Sequence, residues 1–272
     1  MSDPAPGSGQ EGPGLARNSA LVGGATMASR PLGFLRDMLI AQALGGGPVA
    51  DAFLVAFRLP NLFRKVLGEG GFNLAFVPLY LALRRERGPA AASRFAGETI
   101  VFLGIGFVLL TILLEVFAPQ LVGLIAPGLA EAPATFALAV TCTRLALPVL
   151  GFTVLASVFA AVLNAERRFL AAALAPALNN LGLAAIILVA LLIAIDGAGM
   201  ARLLALAVTM VGGLLFLLLA IALGRGSPGW PPLVLSRSRD LARLVALAGP
   251  ALVAASSGPL ILVVATQIAS AE

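Results

Sequence analysis

Ten polar side chains crowd two long apolar segments near the start of the chain. Ser29, Arg30, Arg36 and Asp37 fall in the first, and Asp51, Arg58, Asn61, Arg64, Lys65 and Glu69 in the second. A charge near the centre of a bilayer costs at least ~2.5–3.5 kcal/mol, so such residues normally face a cavity, a partner or a transport pathway. Helical positions seven apart share nearly one face, which groups Asp51, Arg58 and Lys65 into one stripe and Arg30 and Asp37 into another. The cations outnumber the carboxylates, and a water-filled cavity lined this way attracts a phosphate-bearing solute. The arginine guanidinium offers that solute planar, bidentate recognition. Backbone irregularity coincides with the charge. Pro31 follows Arg30, Pro60 lies two residues after Arg58, and Gly68, Gly70 and Gly71 flank Glu69. Breaks in membrane helices are tolerated where they line a cavity or another helix buries them. Other readings stay open. Arg36 and Asp37 can sit at the membrane border, Arg30 can pair with Asp37 to fix packing, and Arg64, Lys65 and Glu69 can cap the second helix if it breaks at Pro60.

The elements that position these residues follow from composition. Of 272 residues, 60% are hydrophobic and only 11% charged, too few polar groups to clothe a soluble domain. Several runs approach the 20 or so residues needed to cross the hydrocarbon core. Long alternating polar–apolar stretches are missing, which argues against a β-barrel and leaves an all-α, polytopic helix bundle. The pattern predicts seven transmembrane helices at about 18–43, 48–83, 95–117, 134–163, 169–195, 201–223 and 240–268. Residues 1–17 read as a disordered tail rich in Gly, Pro and Ser, residues 18–223 as a six-helix lobe, 224–239 as a loop, and 240–272 as a seventh helix. An odd count ending at Glu272 leads us to expect a fragment.

Basic loops alternate with loops poor in Arg and Lys. Arg84, Arg85, Arg87 and Arg94 follow the second predicted helix, Arg167 and Arg168 the fourth, and Arg225, Arg237 and Arg239 the sixth. By the positive-inside rule these loops and the N-terminus are cytoplasmic. The net charge of +5 lies mainly in these loops and the first two segments, so nucleic acid is not an expected partner. The sequence has no His and a single Cys, Cys142. With no CxxC, HExxH, Walker A, GxSxG or DDxxD pattern, we expect no metal, no cofactor and no enzyme, a prenyl-phosphate enzyme included. Lesser features are Arg144 ahead of Pro148, Asn179 and Asn180 after Pro176 as interhelical hydrogen-bonding residues, and Glu98 and Glu115, expected to be solvated near helix ends.

At residues 29–80 the pattern becomes specific. It reads Ser29-Arg30-Pro31-Leu32-Gly33-Phe34-Leu35-Arg36-Asp37, then Asp51-Ala52-Phe53, Ala56-Phe57-Arg58-Leu59-Pro60-Asn61-Leu62, Glu69-Gly70-Gly71-Phe72 and Ala75-Phe76-Val77-Pro78. This block resembles the signature of the MurJ/MviN flippases, within the multidrug/oligosaccharidyl-lipid/polysaccharide exporter superfamily. Weaker echoes follow at Ala126-Pro127-Gly128, Ala175-Pro176 with Asn180, and Gly249-Pro250. The resemblance implies a two-lobed bundle around a cationic cavity that moves lipid II, an undecaprenyl-pyrophosphoryl muropeptide, between leaflets of the bacterial inner membrane. It places the family's cavity cations on Arg30, Arg36 and Arg64, with Lys65 beside them. Arg58 and Asn61 join the substrate-binding set, and Ser29, Asp37, Asp51 and Glu69 fall at gate or ion-coupling positions. It further implies membrane lipids and the cell-wall synthesis machinery as partners, and a membrane potential or ion gradient as the driving force. The chain departs from the pattern twice. Leu67-Gly68-Glu69-Gly70-Gly71-Phe72 stands where Phe-Ala-Glu-Gly-Ala-Phe is usual, and a second lobe with its own cavity arginine is missing. An exporter of another amphiphile, or a non-transporting cell-wall scaffold, are the remaining readings.

Overall fold

The computed structural model describes residues 13–68, 71–195, 197–226 and 229–249. Among them there is no strand. The helices are α1 (Pro13–Leu44), α2 (Pro48–Gly68), α3 (Gly71–Arg87), α4 (Pro89–Val116), α5 (Ala118–Ile125), α6 (Pro133–Ala146), α7 (Val149–Ala165), α8 (Phe169–Leu192) and α9 (Gly197–Gly224). A 3-10 turn at Pro127–Glu131 joins α5 to α6, and residues 239–249 form a further helix, α10.

Among the described residues, four segments are long and apolar enough to cross a membrane: Pro89–Val116, Pro133–Ala165, Phe169–Leu192 and Gly197–Gly224. Their outer faces carry large exposed apolar side chains such as Leu109, Ile112, Leu188, Leu192, Met210 and Leu214. In water this would be an aggregation surface; against lipid tails it is the expected exterior. The chain is a multi-pass membrane protein.

Several details differ from the sequence expectation, among them α5, which falls in the stretch between the predicted helices 95–117 and 134–163. Helix α1 begins at Pro13, inside the stretch read as a disordered tail, because proline at the first helical position lacks only an N–H that would be unpaired anyway. The predicted helix 48–83 is two helices, α2 ending at Gly68 and α3 starting at Gly71, while Pro60 lies inside α2 without ending it. The span Pro133–Ala165 is jointed between α6 and α7 at Leu147-Pro148, since a proline has no N–H to return to the carbonyl four residues back.

The turn between α1 and α2 shows how glycine fixes a connection. Gly45 and Gly47 have φ of 65° and 110°, a region costly for residues with a Cβ. Gly45 N–H donates to the carbonyl of Ala41 at 2.9 Å, closing α1, and Pro48 starts α2.

Helix α1 lies along α8, α2 along α6, and α7 along α9. Two large apolar clusters occupy opposite ends of the bundle. One gathers Phe72, Phe76, Tyr80, Phe95, Phe159, Leu163 and Leu223. The other gathers Phe53, Val122, Leu138, Ile187, Met200 and Leu204. A smaller cluster of Val149, Leu183, Ala207, Val208 and Val211 lies between helices α7, α8 and α9. The two end clusters hold the helices together, and the thinner middle leaves room for a cavity.

Candidate functional site: a polar cavity among five helices

A cavity of about 500 Å³ lies between α1, α2, α7, α8 and α9. Its polar lining consists of Ser29 and Arg36 from α1, Asn61 from α2, Thr153 and Ser157 from α7, and Asn179 and Asn180 from α8. Arg36 is the only charged residue among the described residues that line it. Thr153 and Ser157 are four apart on α7, and the Ser157 hydroxyl donates to the Thr153 carbonyl at 2.9 Å.

Arg36 is held from two sides. Its Nε and Nη2 donate to Oδ1 of Asp37 at 2.9 and 2.6 Å, and its Nη1 donates to Oδ1 of Asn180 at 2.8 Å. These bonds take three of its five N–H groups. The Arg36 side chain is 16% exposed and that of Asp37 63%, so the ion pair runs from the cavity wall out to its rim. Asn180 in turn donates from Nδ2 to the carbonyl of Ser29 at 3.0 Å. Gly33 makes this approach possible, since a Cβ there would stand 3.2 Å from the Asn180 amide nitrogen.

The predicted site residues divide by position. Ser29, Arg36 and Asn61 line the cavity. Arg30, Asp37 and Arg58 each follow a lining residue by one position, a rotation of about 100°, and all are exposed. They stand at the rim rather than in the pocket. Asp37 pairs with Arg36, so the Arg30–Asp37 packing pair is not the arrangement seen. Asp51 sits exposed in the first turn of α2, where a carboxylate complements the helix dipole. The side chains of Arg64 and Lys65, and all of Glu69, lie outside the described residues.

Sequence reasoning passed over Thr153 and Ser157, whose i, i+4 spacing in an apolar helix was the available signal. It expected interhelical hydrogen bonds from Asn180, and the bonds to Arg36 and Ser29 are of that kind, but it did not connect Asn180 with Arg36. Glu98 is a correction: it is 4% exposed rather than solvated, paired with Arg94 at 3.2 Å. Its neighbour Gly97 is covered by the backbone carbonyl of Pro232, in the segment after α9.

The basic loops meet at one end of the bundle. Arg84 at the end of α3 pairs with Glu166 after α7 at 2.6 Å, and Arg87 pairs with Asp240 at the start of α10 at 2.9 Å. Arg168 donates to the carbonyls of Ala222 and Leu223, where α9 ends and a cation suits the helix dipole. Three loops far apart in sequence thus form one basic face.

The family model for lipid II flippase MurJ matches residues 40–272. The chain belongs to the MurJ family. A probable lipid II flippase MurJ of Rhizobium meliloti (strain 1021) is 47% identical over 174 residues, 64% of this chain and 32% of that protein. A probable lipid II flippase MurJ of Rhizobium tropici is 35% identical over 266 residues, covering 95% of this chain and 49% of the relative. Among solved structures, one of lipid II flippase MurJ in an inward closed conformation superposes with a TM-score of 0.70 at 23% identity, over 86% of this chain and 47% of that one. The chain therefore spans half or less of the length of these MurJ relatives.

Proposed function

We propose that this chain takes part in moving lipid II across the bacterial plasma membrane by alternating access. The observation that carries the reading is the Arg36 guanidinium, lining a cavity with no carboxylate among its described lining residues, in a chain of the MurJ family. The N–H groups of Arg36 not bonded to Asp37 or Asn180 are available to a pyrophosphate oxygen. Ser29, Asn61, Thr153, Ser157 and Asn179 supply neutral hydrogen-bonding groups for the remainder of the head group. Arg30 and Arg58 at the rim raise the local concentration of an anion before it enters, with Arg64 and Lys65 following on α2. The prenyl tail stays in lipid. No bond to the substrate is made or broken, so the task is transport rather than catalysis.

Asp37 competes with the pyrophosphate for Arg36. Binding then exchanges one anionic partner for another, leaving Asp37 free to pair elsewhere or take up a cation. Asp51 and Glu69 are the other candidates for gating or ion coupling. The basic end of the bundle is assigned to the cytoplasm by the positive-inside rule, which places the N-terminus there also. A potential positive outside draws a net-positive empty cavity back inward, at ~2.3 kcal/mol per charge per 100 mV. Residues 18–223 form one lobe, and a second lobe supplies the opposing wall.

Depletion of the resident lipid II flippase in a bacterium tests this directly. The 272-residue chain is expressed alone, and in parallel joined to the second half of a MurJ relative. Rescue by the joined form, lost on Arg36→Ala, is the expected result. Rescue that survives Arg36→Ala refutes the head-group clamp.

A further inference from the structure

We propose that Asn180 is the positioning residue for Arg36, setting the direction in which the guanidinium presents its free N–H groups to an anionic head group. The inference rests on the head-group reading above. Its basis is that the Asn180 amide is fixed at both ends. Its Nδ2 donates to the Ser29 carbonyl at 3.0 Å, and its Oδ1 accepts from Arg36 Nη1 at 2.8 Å. Reversing the amide would set an oxygen against the Ser29 carbonyl and an NH2 group against the guanidinium, so both contacts select one orientation. Gly33 leaves the amide a notch that any side chain would narrow. Asp37 alone cannot fix Arg36, because both of its bonds end on one oxygen and its side chain is 63% exposed. Asn180 supplies the second, less exposed anchor, from the helix that runs along α1.

A neutral amide suits this task better than a carboxylate would. It orients the cation without setting a second carboxylate against it beside Asp37, so Arg36 keeps more of its attraction for a phosphate. Asparagine is also short enough to stay in the Gly33 notch, where glutamine would not.

The test uses the 272-residue chain in nanodiscs, with undecaprenyl pyrophosphate as the anionic probe and undecaprenol as the neutral control. Asn180→Ala is expected to weaken pyrophosphate binding about tenfold, on the order of one charge-assisted hydrogen bond, and to leave undecaprenol binding unchanged. Asn180→Asp is expected to weaken it further, since it keeps an acceptor but loses the donor to Ser29 and adds a second carboxylate beside Asp37. In an Arg36→Ala background, Asn180→Ala is expected to cost nothing more. Equal losses from Asn180→Ala with and without Arg36, or an equal loss for undecaprenol, overturn the positioning role and leave the head-group reading standing. Tight pyrophosphate binding by Arg36→Ala itself overturns both. Thermal unfolding of each variant in the same nanodiscs separates misfolding from lost orientation, and Asn180→Ser, which keeps a small polar group in the notch, serves as a second variant if Asn180→Ala unfolds.

Discussion

Replacing Glu166 tests the junction that brings two basic loops together. Its Oε1 accepts from the Tyr80 hydroxyl at 2.9 Å, and its Oε2 pairs with Arg84 at 2.6 Å. The partners differ in setting. Tyr80 is 1% exposed as a residue, whereas the Arg84 side chain is 39% exposed. Glu166→Gln keeps an acceptor for the tyrosine and removes the ion pair, which solvent reaches only from the Arg84 side, so we expect a loss of about 1 kcal/mol. Glu166→Ala removes the acceptor as well and strands a buried hydroxyl, adding about 1–3 kcal/mol. Tyr80→Phe in the Glu166→Ala background deletes the stranded group and should recover most of that second increment. The assay is equilibrium unfolding in mixed SDS–dodecylmaltoside micelles, followed by circular dichroism. If Glu166→Gln costs as much as Glu166→Ala, or if Tyr80→Phe recovers nothing, the carboxylate's role in satisfying Tyr80 is wrong.

Other perturbations probe different parts of the molecule. The Thr209 hydroxyl on α9 donates to the Leu145 carbonyl at 2.6 Å beside the α6–α7 joint, so Thr209→Val should cost about 1–2 kcal/mol in the same unfolding assay; no change would show that the joint does not depend on it. Gly97→Ala should push the Pro232 carbonyl off α4, and trypsin should then cut at Arg237 or Arg239 several times faster than in the parent chain. Gly33→Ala gains about 1 kcal/mol of helix propensity but crowds the Asn180 amide. Stability should therefore change little while pyrophosphate binding falls, and unchanged binding would show that the notch is not needed.

The span pattern was legible because the hydrophobic runs are long and their interruptions are glycines and prolines with direct backbone consequences. The basic loops were legible for the same local reason. Arg36 stood out as a charge in an apolar helix, and the structure places it in the cavity wall. What the sequence could not show was rotation about each helix axis. Arg30 and Arg36 carry the same charge in the same helix, yet one faces the rim and the other the pocket, because α1 turns the Ser29–Gly33–Arg36 face to α8. Glu98 misled for a related reason: its place near a helix end suggested solvent, and the segment that covers Gly97 comes from more than 130 residues downstream. Tyr80 and Glu166 met only once the chain was folded.

The rim charges also bear on how the membrane meets such a chain. Arg30, Asp37, Asp51 and Arg58 are all exposed, in helices α1 and α2 that fall outside the four strongly apolar spans. If lipid tails covered those faces the cost would be on the order of several kcal/mol. Until protein or water covers this charged face, the surrounding bilayer must thin or admit water there. The exposed charges thus set where the surrounding membrane is least able to seal against the helices.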